Sequence, residues 1–194
     1  TSRNSRLVKI VKQNDALIIV DVQNDFCPGG ALPVKEGDKV IPPLNHTRRF
    51  FEHIFATQDW HPENHCSFEK NGGSWPVHCV TGSQGADFHP DLDIEQVKII
   101  QKATLSDRDA YSGFDGTDLA TQLSNKNIKR VFVAGLATDY CVKATVLDAL
   151  ESGFEAWVLE DAIRGVDLEP GDSAKAITEM KEKGARFLNS SDLE

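Results

Sequence analysis

Val131-Phe132-Val133-Ala134-Gly135-Leu136-Ala137-Thr138-Asp139-Tyr140-Cys141 begins as an apolar run and ends in polar residues; Val142, Val146, Ala149 and Leu150 then recur at helical spacing before Gly153. A buried strand that passes directly into a helix is the repeating step of a parallel α/β sheet. Thr138 is a candidate cap for that helix and Gly153 its terminator. Cys141 then falls in the first turn, where unpaired N–H groups and the positive end of the helix dipole favour thiolate over thiol and can hold an oxyanion. It is therefore a candidate nucleophile. The competing reading is an inert, buried cysteine that fills space between strand and helix.

The same alternation extends to both ends of the chain. Strand-like runs cover Ala16 to Val20, His53 to Thr57, Val97 to Ile100, Val131 to Ala134, Ala156 to Leu159 and Arg186 to Leu188. Helical patterns lie around Val40 to Phe51, Gly116 to Ser124, Asp139 to Glu151 and Gly171 to Lys183. Parallel strands joined by crossover helices, with both faces of the sheet covered, are the expected α/β architecture. The stretch from Trp60 to Pro90, with Gly72-Gly73, Trp75-Pro76 and Gly82 to Gly85, lacks periodicity and reads as a long structured loop.

The 194 residues suit one domain with a three-layer core, expected over 15–194, preceded by a surface arm over 1–14 that carries Arg3, Arg6, Lys9 and Lys12. That arm has no apolar core of a secretory signal, and a cytoplasmic location is the default expectation. No apolar run reaches the roughly 18 residues of a membrane span, so no membrane role is expected. A net charge of −9 argues against a nucleic-acid partner, which needs clustered Lys and Arg, and favours a small ligand. Cys27, Cys66, Cys79 and Cys141 show no C-x-x-C spacing and read as thiols of a reducing compartment. Neither G-x-G-x-x-G nor a Walker-type string occurs. The sequence is compatible with a homo-oligomer.

Chemically capable residues follow the strands: Asp21 after the first, Asp59 and His61 after the second, Lys102 after the third and Cys141 after the fourth. The carboxyl ends of parallel strands share one edge of the sheet, where ligands bind, so these groups are expected to converge. One acid in such a place is ordinarily a turn former; four strands supplying reactive groups to one edge favour a functional site.

Asp21-Val22-Gln23-Asn24-Asp25-Phe26, Asp59-Trp60-His61-Pro62, Trp75-Pro76-Val77-His78-Cys79, Lys102-Ala103-Thr104, Ala110-Tyr111-Ser112-Gly113-Phe114 and Gly135 to Cys141 together resemble the nicotinamidases, or pyrazinamidases, of the isochorismatase-like hydrolases. The likeness runs from about Ala16 to Gly184 in the family's order. It implies a three-layer α/β/α fold with a six-stranded parallel sheet, an Asp21, Lys102 and Cys141 catalytic set, and an oxyanion hole from the N–H groups of Ala137 and Cys141. It also implies a cis peptide between Leu136 and Ala137, a divalent metal on Asp59, His61 and His78, and an aromatic sandwich of Phe26 and Trp75 that Tyr111 closes. His65 is a further candidate ligand, with a role behind the ligands or on the substrate side preferred.

The residues support this chemistry independently. An ordinary thiol is mostly protonated at neutral pH, and Asp21 can act as its base while Lys102 offsets the repulsion between carboxylate and thiolate. The protonated Asp21 can then give its proton to the departing amide nitrogen and serve again as base when water hydrolyses the thioester. One carboxylate and two imidazoles suit zinc, iron or manganese, and the residues do not choose among them; zinc is the expected ion. The expected substrates are nicotinamide and pyrazinamide, whose ring nitrogen is a natural partner for such an ion, and the expected setting is NAD salvage. Two other readings stand beside this one: a carbamoyl-amide hydrolase of the same fold and a non-catalytic ligand-binding member. An isochorismatase would lack the cysteine.

Overall fold

The computed structural model describes residues 7–194. Its strands are β1 (Asp15–Val20), β2 (His53–Asp59), β3 (Lys98–Lys102), β4 (Arg130–Leu136), β5 (Glu155–Arg164) and β6 (Arg186–Leu188), and its helices are α1 (Ile41–Thr47), α2 (Leu119–Asn125), α3 (Lys143–Glu151) and α4 (Asp172–Glu182). All neighbouring strands pair in parallel, in the order β3-β2-β1-β4-β5-β6. Every residue of the central β1 is buried, as a strand covered on both faces requires, which is why its sequence is an unbroken apolar run after Asp15. The edge strand β3 instead alternates, with Ile100 and Lys102 buried and Ile99 and Gln101 exposed.

The expected three-layer α/β/α fold with six parallel strands is the one observed, and the differences lie at element boundaries. Two short 3₁₀ turns, Gly37–Val40 and Arg48–Phe50, flank α1, so its regular part is shorter than the apolar pattern. β5 runs five residues past the expected Leu159, because its register against β4 jumps from Val133↔Val158 to Gly135↔Ile163. The bulge turns Glu160 and Asp161 out of the sheet, and Asp161 accepts the backbone N–H and the hydroxyl of Ser190 at 2.8 and 2.5 Å. Thr138 is not the cap expected of it. It lies inside a single π turn, Thr138–Val142, that precedes α3, and the Ala137 carbonyl accepts the N–H groups of Tyr140 and Val142, both at 3.1 Å.

At Gly135 the backbone has φ +120, and a Cβ would run into the carbonyl of Val20, so only glycine lets β4 lie this close to the end of β1. The following Leu136–Ala137 peptide is cis. Of the arm expected over 1–14, residues 1–6 lie outside the described residues. In the remainder, Val8 donates to Asp192 at 2.7 Å and Ile10 to Glu194 at 2.8 Å, pairing this segment with the C-terminal one. Among the described residues no helix is long and apolar enough to cross a membrane.

Candidate active site and metal centre

The strand order reverses between β1 and β4, and the crevice formed at such a reversal opens at the carboxyl edge of the sheet. Asp21 follows β1 and Cys141 sits in the turn after β4, one on each side of that crevice. Asp59 ends β2, Lys102 ends β3, and the two are register partners, so their side chains leave neighbouring strands at the same level. Convergence of the four is thus a consequence of strand length and register.

Lys102 is the hub of this cluster and is 1% exposed. Its Nζ lies 2.5 Å from Asp59 Oδ1, 3.0 Å from Asp21 Oδ2 and 3.5 Å from Cys141 Sγ, and it also donates to the Ala110 carbonyl at 3.3 Å. The Asp21 contact is an ion pair without the alignment of a hydrogen bond, so buried Oδ2 has no hydrogen-bond partner. Asp21 Oδ1 accepts the Thr57 hydroxyl at 2.7 Å, which fixes the carboxylate and leaves Oδ2 available for proton exchange.

Burial, opposed by Lys102 and reinforced by Asp59, pushes the Asp21 carboxyl above its ordinary value. Burial also works against the charged form of Asp59, yet Lys102 and His61 hold that carboxyl below the usual carboxylate range. Lys102 is itself opposed by burial, and Asp21 and Asp59 keep it firmly an ammonium. For Cys141, burial raises the thiol well above its ordinary value, Lys102 pulls it down, and Asp21 and Asp59 push it up again. Burial and the two carboxylates thus favour the thiol, against Lys102 and the helix end, which favour the thiolate.

Asp59, His61 and His78 are buried, and one potential ligand atom from each lies within 4.8 Å of the others. His61 Nδ1 is 2.9 Å from the Ala103 carbonyl and His78 Nδ1 is 2.7 Å from the Pro76 carbonyl. A carbonyl only accepts, so each Nδ1 carries a proton and each Nε2 is turned toward the centre of the cluster, where His61 Nε2 lies 3.4 Å from Asp59 Oδ2 and Asp59 raises the imidazole above its ordinary value against burial. Burial holds His78 below its ordinary value, in the neutral form a metal needs. A carboxylate and two imidazoles oriented in this way fit a divalent cation. His65 stands outside the trio: its Nδ1 meets Ser67 Oγ at 2.6 Å, its Nε2 meets the Arg108 carbonyl at 3.1 Å, and its ring stacks on His61 at 4.0 Å.

A pocket of about 480 Å³, open mouth included, lies above these groups and has the size of a small-ligand site. Phe26, Trp75, Tyr111, Ala137 and Cys141 all line it. Trp75 Nε1 donates to the Tyr111 hydroxyl at 3.1 Å across the mouth. Tyr140 also lines the pocket and presents its ring edge-on to Trp75 and Tyr111, with centroids 5.2 and 5.5 Å away. Sequence reasoning missed Tyr140, although its place beside Cys141 in the same turn was a usable signal. It also missed Thr57, which orients Asp21, and Asp109 and Val166, which line the wall. The other cysteines are free, and burial together with Asp38 pushes the Cys27 thiol up to about 11, the behaviour of an inert packed group.

Residues 15–192 match the model of the isochorismatase domain. A nicotinamidase of Escherichia coli (strain K12) is 40% identical over 205 residues, covering 92% of this chain and 96% of the relative. The crystal structure of the pyrazinamidase of Pyrococcus horikoshii in complex with zinc is 53% identical, with a TM-score of 0.86 over 91% of this chain and 99% of that one. The crystal structure of PnC1 from L. infantum in complex with nicotinate is 40% identical, with a TM-score of 0.93 over 97% of this chain and 98% of that one.

Proposed function

The chain belongs to the isochorismatase domain family, and on that premise we propose that it is an amidohydrolase that converts nicotinamide to nicotinate and ammonia and also deamidates pyrazinamide. The observation that carries this reading is the buried Lys102 ammonium in contact with Asp21, Asp59 and Cys141 at the floor of an aromatic pocket. Relatives that are nicotinamidases favour it over a carbamoyl-amide hydrolase.

The neutral Cys141 thiol gives its proton to Asp21 as the sulfur attacks the amide carbon, and the Lys102 ammonium stabilises the negative charge that passes onto sulfur and oxygen. An Asp21 carboxyl raised by burial suits this role, because it holds a proton more readily than an exposed Asp and can still give it back. The N–H groups of Ala137 and Cys141 are assigned to the oxyanion. Thiolate is a better leaving group than amide nitrogen, so the tetrahedral intermediate goes forward only when Asp21 protonates the nitrogen. Ammonia then leaves and the Cys141 thioester remains. Asp21, again a carboxylate, removes a proton from water as the water attacks the thioester, and returns it to the sulfur. Phe26, Trp75, Tyr111 and Tyr140 exclude bulk water and hold a flat ring by apolar contact. A divalent ion, for which zinc is our assignment, would be held by Asp59, His61 and His78 and would supply a Lewis-acid position for the ring nitrogen. NAD salvage in the cytoplasm is the setting we assign to the reaction.

The test is ammonia release from nicotinamide by the purified protein, with isochorismate consumption as the control. Cys141→Ala is expected to abolish release while leaving circular dichroism and metal content intact, and Cys141→Ser to be severely impaired. Quenched mass spectrometry is expected to find a nicotinoyl adduct on the Cys141 peptide. Turnover retained in Cys141→Ala would overturn the covalent mechanism.

A further inference from the structure

In the motif Asp21-Val22-Gln23-Asn24-Asp25-Phe26 the chemistry above uses Asp21 and Phe26 and leaves Gln23 and Asp25 unexplained. The ladder between β1 and β2 ends at Val20↔Thr57, and at Asp21 the chain turns away with φ +51. Asp59, two residues beyond that last pair, still has Lys102 of β3 on one side but has lost its β1 neighbour on the other. The side chain of Gln23, which is fully buried, takes that neighbour's place. The Asp59 N–H donates to Gln23 Oε1 at 2.9 Å, and Gln23 Nε2 donates to the carbonyls of Asp59 and Ala86, each at 2.9 Å. Both N–H donors and the oxygen of the amide are therefore in use.

Asp25 does the same for the other ligand segment. Its Oδ2 accepts the Cys79 N–H at 2.8 Å and its Oδ1 accepts the Ala31 N–H at 3.1 Å. Cys79 has φ +49, and its carbonyl accepts the His61 N–H at 2.9 Å. Cys79, next to His78, is thereby tied to Asp25 through its N–H and to His61 through its carbonyl. Gly85 is pressed against Asp25 so closely that a Cβ there would run into the carboxylate.

We propose that Gln23 and Asp25 are positioning residues for the metal trio: Gln23 sets the Asp59 backbone directly, and Asp25 sets His78 and His61 through the backbone of Cys79. The proposal rests on the reading of Asp59, His61 and His78 as ligands. The five residues Asp21 to Asp25 thus hold the proton-transfer carboxylate at one end and, through Gln23 and Asp25, index the three ligands. Loss of the partners that orient metal ligands typically weakens metal affinity roughly 10- to 100-fold.

The test compares Gln23→Met, which keeps length and burial without the amide, and Asp25→Asn, which leaves one oxygen for two N–H donors. Asn24→Ala serves as control, since that side chain reaches only the Gln84 carbonyl at the surface. Zinc ion affinity is measured by competition with a chromophoric chelator, alongside thermal unfolding of the metal-free protein and kcat and KM for nicotinamide. We expect zinc affinity to fall roughly 10- to 100-fold in both variants, KM to rise more than kcat falls, and Asn24→Ala to match the parent. Folded variants with lowered stability but parental zinc affinity would overturn the proposal, since that is the signature of packing alone. If Gln23→Met does not fold, Gln23→Glu, which retains the acceptor and loses both donors, and Asp25→Asn decide in its place. His78→Ala with undiminished zinc affinity would refute the ligand reading itself, a failure distinguishable from parental affinity in the Gln23 and Asp25 variants alone.

Discussion

Replacing Lys102 by Met removes one buried charge and keeps most of the side chain's volume, so its effects are chiefly electrostatic. At the 3.5 Å separation of Nζ and Sγ, an effective dielectric of about 20 gives roughly 5 kcal/mol between ammonium and thiolate. At 1.36 kcal/mol per decade that is roughly three and a half orders of magnitude, an upper bound because Lys102 is also engaged by Asp21 and Asp59. The expected loss in kcat/KM for nicotinamide is therefore on the order of 10²- to 10³-fold. Alkylation of Cys141 by iodoacetamide is expected to slow at neutral pH and to recover only at a higher pH than in the parent. Removing one partner of a buried ion pair also costs about 3–5 kcal/mol of stability, because Asp21 and Asp59 are left facing each other.

The pH dependence of that cost has a definite sign. In the parent, Asp59 is held below its unfolded value, so it contributes stability that is present above about pH 4 and lost as pH falls through its folded pKa. Without Lys102 the Asp21 carboxyl, already above its unfolded value, rises further and that of Asp59 rises above its own, so the folded state binds more protons than the unfolded one. The stability of the variant then falls as pH rises, and the difference in Tm from the parent widens from pH 5 to pH 8. Activity within tenfold of the parent, or a Tm difference that narrows with rising pH, would refute the hub role of Lys102.

Asp21→Asn removes the base for the thiol and the acid for the nitrogen together, so ammonia release is expected to fall by more than the roughly 10²- to 10⁴-fold of one acid–base step, with bound metal unchanged by elemental analysis. Loss of metal in that variant would mean that the roles of Asp21 and Asp59 have been interchanged. Chelation, or His78→Ala, is expected to weaken binding of nicotinamide and pyrazinamide far more than that of benzamide, which has no ring nitrogen. Equal losses for all three amides would show that the ion does not orient the ring.

The fold was legible where burial on both faces leaves a continuous apolar run, as in Leu17 to Val20 and Val131 to Ala134. It was illegible where the backbone departs from regular pairing. The end of β5 is not legible because the charged pair Glu160 and Asp161 interrupts the apolar run after Leu159, whereas a bulge turns them out and pairing with β4 resumes at Ile163. Thr138 read as a cap because cap residues are recognised by type, and nothing local shows that the turn begins one residue earlier, at the Ala137 carbonyl.

In the site, legibility follows the same physical division. Asp21, Asp59 and Lys102 were found because a polar residue that ends an apolar run leaves a signature within a few positions. Their mutual distances follow from strand register, which the apolar pattern also encodes. The bonds of Gln23 to Asp59 and of Asp25 to Cys79 span 36 and 54 positions and join a side chain to a backbone, so no periodicity records them. Neither Gln23 nor Asp25 has an unusual residue type for its place, and each would pass as a turn residue in isolation. What sets them apart is that β1 has ended while β2 continues to Asp59, which leaves one N–H and one C=O needing partners in a buried place. Buried backbone groups must be paired, so a side-chain amide at that point follows from the unequal lengths of two neighbouring strands. Such a side chain can be sought wherever a parallel strand outlasts its neighbour at the edge where ligands bind.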